Sequence, residues 1–157
     1  MKIELIKLKF NDTHSYKYKP FKYCCEEIQK NECIEFTNEN LTNLNVDHDE
    51  EYGFIPQLCT SHTEIIRSYE DEWAQTDNYP IRFCPHCGEK IEISVIDEMD
   101  ISDQYNELTK QREELREKCW KTDSKKEESA LRERVEKLDK QIYSFYLLDE
   151  WKGETDE

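Results

Sequence analysis

Glycine and proline are scarce in this 157-residue chain, three and four residues respectively. So few glycines leave no loop able to cradle a phosphate, and no nucleophile stands beside the one short acid/base pair, His62-Thr63-Glu64, so no catalytic constellation is visible. Apolar residues are also in short supply, 36% of the chain, against about 45 to 50% in an average globular protein. A chain of this length makes about one domain, or a small domain with a helical appendage, and a large oily core is not expected. Something must compensate, and a structural metal would. There is no run of about 18 apolar residues, and lysines interrupt Met1 to Phe10, so neither a membrane span nor a secretory leader is expected and the predicted location is the cytoplasm.

Positive charge is the next shortage. The formal net charge is −15, and it is unevenly spread: residues 1–25 carry +4, residues 26–99 carry −14 and residues 100–157 carry −5. An acidic middle repels phosphate backbones at long range, which disfavours direct nucleic-acid binding and suits a protein partner with a basic face. The run Asp47-His48-Asp49-Glu50-Glu51 lacks the glycine and ligand spacing of a calcium loop and reads as solvated charge within an acidic loop from Asn38 to Gly53.

Against these absences stand seven cysteines, an odd number; with no secretion signal expected, they are better read as thiols and metal ligands than as disulfides. Cys84-Pro85-His86-Cys87-Gly88 has the spacing of a metal-binding knuckle: two thiolates two residues apart grip one ion, and the glycine lets the backbone turn its amides toward the sulfurs. A structural zinc site needs four ligands. Cys24 and Cys25, at the start of a short helical turn, are the expected second pair, with Cys33 or Cys59 in reserve; His86, inside the knuckle, is expected to face solvent.

Lys2 to Phe10 and Ser15 to Tyr23 read as strands around a turn at Asn11 to His14, with Pro20 interrupting the second, and Cys33 to Thr37 as another strand. Glu64 to Trp73 leans toward strand. Tyr79 to Phe83 leads into the knuckle and Ile91, Ile93 and Val95 alternate on the way out, which places the knuckle at the tip of two strands. Ile101, Tyr105, Leu108, Arg112, Leu115 and Cys119 then follow a seven-residue repeat. After a break at Thr122 to Lys125, where Ser124 and Glu127 make a capping box, Leu131, Val135, Leu138, Ile142, Phe145 and Leu148 form a second seam. A break this short turns the helices back on each other as a hairpin of about 30 Å. Two helices cannot bury both seams, so a homodimer through the hairpin is expected; the aromatics of Cys119-Trp120 and Tyr143 to Trp151 are expected to pack rather than stand exposed.

The segments Lys22-Tyr23-Cys24-Cys25-Glu26-Glu27-Ile28 and Ile81-Arg82-Phe83-Cys84-Pro85-His86-Cys87-Gly88-Glu89-Lys90-Ile91 resemble those of uncharacterised small zinc-ribbon proteins of bacteriophages and of prophages in Gram-positive bacteria, in which a CC pair and a CPxCG knuckle recur. The resemblance covers the two cysteine segments. It implies zinc bound by Cys24, Cys25, Cys84 and Cys87, an origin as a phage accessory protein in a bacterial host cell, and no catalysis. Together these readings predict an α+β fold: a small zinc-ribbon-like antiparallel β domain over 1–99 with an acidic insertion at about 38–78, an antiparallel αα-hairpin over 100–152, and a disordered tail at 153–157. The expected function is binding, and inhibition, of a host macromolecule in host takeover or anti-defence. The alternatives are sequestration of a nucleotide immune signal at an oligomer interface, with lysines of the N-terminal hairpin lining the pocket, and mimicry of DNA by the acidic face.

Overall fold

The structure, a computed structural model, describes residues 1–37, 55–69, 71–122 and 124–152. The whole acidic loop from Asn38 to Gly53, with Asp47 to Glu51, and the tail at 153–157 lie outside the described residues. The fold is α+β: strands β1 (Lys2–Phe10), β2 (Thr13–Tyr18), β3 (Ile34–Thr37), β4 (Gln57–Arg67), β5 (Glu72–Pro80) and β6 (Glu92–Asp100), with helices α1 (Glu26–Lys30), α2 (Ser102–Lys121) and α3 (Lys125–Ser144). One sheet has the order β2-β1-β6 and the other β3-β4-β5. The chain divides into two compact units, Met1–Leu5 with Tyr18–Val95, and Ile6–Lys17 with Ile96–Glu157.

The division is written into β1. Its buried residues are Ile3 and Leu5, then Ile6, Leu8 and Phe10, so the apolar alternation shifts phase between Leu5 and Ile6. Because side chains alternate faces along a strand, one strand thereby serves two cores. Asn11, at φ 55°, turns the chain into β2; asparagine tolerates this left-handed conformation better than most residues. The second strand ends at Tyr18 rather than Tyr23, as Pro20 dictates, and Phe21 instead lies 5.6 Å from Tyr18 and 6.0 Å from Phe36 between ring centroids.

In the first unit, β4 pairs antiparallel with β3 through Ile34↔Thr60 to Thr37↔Gln57, and with β5 through Cys59↔Pro80 to Arg67↔Glu72. Much of the stretch expected to be an acidic insertion is therefore a β-hairpin. The knuckle's flanks pair with each other only at Phe83↔Lys90; beyond that β5 joins β4 and β6 joins β1, so the flanking strands part into different sheets. The β6 edge also departs from an all-antiparallel expectation. Glu92 N–H donates to the Met1 carbonyl at one end and Ile101 N–H to the Lys9 carbonyl at the other, an order that sets β6 parallel to β1.

In the second unit, Ile6, Leu8, Phe10 and Ile101 form a core against which Tyr105, Phe145 and Trp151 pack. Phe10 meets Tyr105 at 4.9 Å and, edge-on, Tyr146 at 5.0 Å. The helices are antiparallel: Arg112 and Arg116 reach Asp139, and the Tyr105 and Tyr146 hydroxyls lie 2.8 Å apart. Every expected seam position on α2 and α3 is buried or half-buried. Ser124 caps α3, accepting from the Glu127 N–H at 3.5 Å, but only half of the capping box forms, because the Glu127 carboxylate accepts from the Thr122 hydroxyl instead. Arg112, an apparent flaw in the α2 seam, lies at its edge and pairs with Glu113 and Asp139. The aromatics divide: Phe145 and Trp151 pack, while Trp120 and Tyr143 stand exposed.

Candidate metal centre

All seven cysteines are free thiols, and four of them, Cys24, Cys25, Cys84 and Cys87, bring their sulfurs together so that every pair lies within 4.8 Å. Cys33 is exposed and Cys59 is buried in β4; neither belongs to the group. The first pair arrives on the approach to α1, where Cys25 is the N-cap residue in an extended conformation. Adjacent side chains point apart in a strand, and it is the bend into α1 that lets both sulfurs face one place. Ile28, buried on α1, anchors that turn in the core.

The second pair is set by a tight hairpin. Cys84 N–H donates to the Glu89 carbonyl at 2.8 Å, Gly88 N–H to the Cys84 carbonyl at 2.9 Å, and Cys87 N–H points at the Cys84 sulfur at 3.5 Å. Gly88 sits at φ +76°, where a side chain is strained although space for a Cβ is open. Gly88→Ala is accordingly expected to cost about 1 to 2 kcal/mol through backbone strain alone. Chemical denaturation of the metal-loaded protein checks this; an unchanged midpoint would show that the turn tolerates alanine.

Crowding four thiols has an electrostatic signature. Burial pushes Cys24 up to about 12, helped by Cys87 and Cys84. Cys25 is also raised: the Ile28 amide draws it down, although no full capping hydrogen bond forms, but desolvation and the neighbouring sulfurs outweigh that pull. Cys84 goes the other way. Burial opposes its ionisation, yet the Cys87 and His86 amides and the Cys87 and Cys25 thiols bring it down to about 6. The Cys84 thiolate is therefore readily formed, while those of Cys24 and Cys25 are resisted by their surroundings unless a cation lies between the sulfurs.

The donor set fits a metal ion in both chemistry and spacing. Soft sulfur ligands suit a thiophilic transition metal and not magnesium or calcium. Bonds of about 2.3 Å arranged tetrahedrally separate the sulfurs by about 3.8 Å. Cys25 and Cys84 Sγ are 3.6 Å apart, close to that edge, and far from the bond of about 2.05 Å in a disulfide. His86 is exposed, with Nε2 3.1 Å from the Asn31 side-chain amide. Asn31 also accepts from the Cys33 N–H at 3.0 Å and is the C-cap residue of α1, so it ties the helix that follows Cys25 to the knuckle. Sequence reading overlooked it; an asparagine closing a short helix was the available signal.

On β4, His62 Nε2 lies 3.1 Å from Glu64 Oε1, both well exposed, in the manner of a surface hydrogen bond. No helix among the described residues is long and apolar enough to cross a membrane. Comparison with protein-family models, with curated proteins and with solved structures finds no match to this chain.

Proposed function

We propose that this chain is a non-enzymatic, zinc-stabilised interaction protein of the phage accessory kind, which binds and inhibits a host macromolecule. The convergence of Cys24, Cys25, Cys84 and Cys87 carries the reading. Four protein sulfurs complete a zinc tetrahedron and leave no position for a water or substrate, which is how structural sites differ from catalytic ones. Their combined negative charge also makes the ion a poor Lewis acid. Zinc so held fixes a small scaffold whose apolar supply is low.

The scaffold has surfaces to offer. On β4 and β5, Ile65, Trp73 and Tyr79 are exposed within a segment rich in acid. Aromatic anchors among like charges suit a protein face carrying basic groups, since Trp and Tyr dominate interface energies and charge steers encounter.

Two measurements test the proposal. Cobalt substitution should give the intense thiolate and tetrahedral ligand-field bands of a closed four-sulfur site; a five- or six-coordinate spectrum would restore catalysis to consideration and overturn the structural role. Affinity capture from a bacterial lysate should then recover one stoichiometric partner whose purified form binds the zinc-loaded chain and is inhibited by it. Retention of nothing above a bare-resin control would refute the interaction role.

A further inference from the structure

We infer that two copies of this chain associate through their helical hairpins, each inserting Trp120 into the cleft beside Tyr143 and Tyr146 of the other. This rests on α2, α3 and the turn that follows α3, and is independent of the metal centre. The furrow between the two helices holds two clefts. One, about 560 Å³, lies by the α2–α3 turn among Arg116, Cys119, Trp120, Arg132 and Val135. The other, about 430 Å³, lies among Arg112, Asp139, Ile142, Tyr143 and Tyr146. Positions 112, 116 and 119 on α2 recur at helical spacing, as do 132, 135, 139 and 142 on α3, with Tyr146 just beyond its end, so both clefts open on one face.

Trp120 is 92% exposed, an unusual state for the largest apolar side chain. The second cleft has a floor of buried Ile142 and walls of exposed tyrosine, a setting in which an indole can stack. From the level of Val135 to that of Tyr143 is about 12 Å at about 1.5 Å per residue. A two-fold axis crossing the furrow midway therefore sets each indole over the other copy's cleft, and both contacts form together, as in an isologous dimer.

Charge permits the same pairing. The chain carries −15 overall, yet Ser102–Ser144 holds 11 acidic and 11 basic residues, so the segment that would face its own copy carries no net charge. Size permits it as well. A face about 30 Å long and two helices, about 20 Å, wide offers about 600 Å² per copy, at the lower end of what stable complexes bury.

Sedimentation velocity on the full chain tests the inference. The native protein is expected at twice its 19.1 kDa mass at micromolar concentration. Trp120→Ala, removing two contacts per dimer, is expected to raise the dimer Kd by about thirtyfold or more, with Tyr143→Ala weakening it in the same direction. Both side chains are exposed, so circular dichroism should stay unchanged. Lys118→Ala, pointing away from the furrow, should leave the dimer intact. A native chain that sediments as a monomer at hundreds of micromolar, or a dimer indifferent to Trp120→Ala, would overturn it.

Discussion

Cys84→Ser is expected to unfold the first unit while α2 and α3 keep their helicity. Cys84 is 2% exposed and shares its site with three further sulfurs. A serine hydroxyl does not ionise near neutrality and cannot replace a thiolate on zinc. Structural zinc contributes an apparent free energy of about 10 to 16 kcal/mol in small modules, as large as the whole stability of a typical domain at about 5 to 15 kcal/mol. Hydrogen exchange resolved along the chain should therefore lose its protection over β3, β4 and β5 in this variant and retain it over α2 and α3. Cys33→Ser, at an exposed thiol outside the group, should change neither. Full protection of β4 in Cys84→Ser would mean that the apolar core of this unit suffices without the metal.

Lys17→Ala is expected to cost the second unit about 3 kcal/mol, the lower end of the loss on breaking a buried ion pair. The Lys17 side chain is only 8% exposed, and its Nζ donates to the Ser144 carbonyl at 2.5 Å, the Leu147 carbonyl at 2.7 Å and the Asp149 carboxylate at 2.5 Å. It thus supplies a cation and donors where the end of α3 leaves carbonyls unpaired. Beside it, the Ser15 hydroxyl donates to the Phe145 carbonyl. Asp149 is half-exposed, which screens part of the charge attraction and sets the effect at the modest end. Urea unfolding followed by the helical circular dichroism that α2 and α3 dominate reads it. Lys17→Met, which keeps most of the stem but no donor, should lose nearly as much; recovery to native stability in that variant would assign the role to packing instead.

Lys17 also shows why part of this fold was legible and part was not. In the alternating pattern of β2 a lysine between two tyrosines looks solvent-facing, because nothing local reports that the far end of α3 brings it three acceptors. The helices were readable, since a heptad repeat free of glycine and proline and the Ser124 cap are local signals. Strand positions around β1 and β6 were readable too, but local alternation says nothing of direction, and the parallel pairing of β6 with β1 comes from long-range hydrogen bonds. The phase shift at Leu5-Ile6 was present in the sequence and marks two cores on one strand. At the metal centre, the knuckle spacing nominated Cys84 and Cys87, and the helical turn after Cys25 explains how two adjacent cysteines converge. Trp120 illustrates the opposite limit: an apolar ring at a helix end carries no local sign of whether it is covered.

The central claim is that one zinc ion joins Cys24 and Cys25 to Cys84 and Cys87. Native mass spectrometry of the purified chain, paired with elemental analysis, tests it most directly. One zinc per chain is predicted, released when all four thiols are alkylated under denaturing conditions. A chain that is folded with no bound metal, or one in which these cysteines are joined as disulfides, would contradict the account.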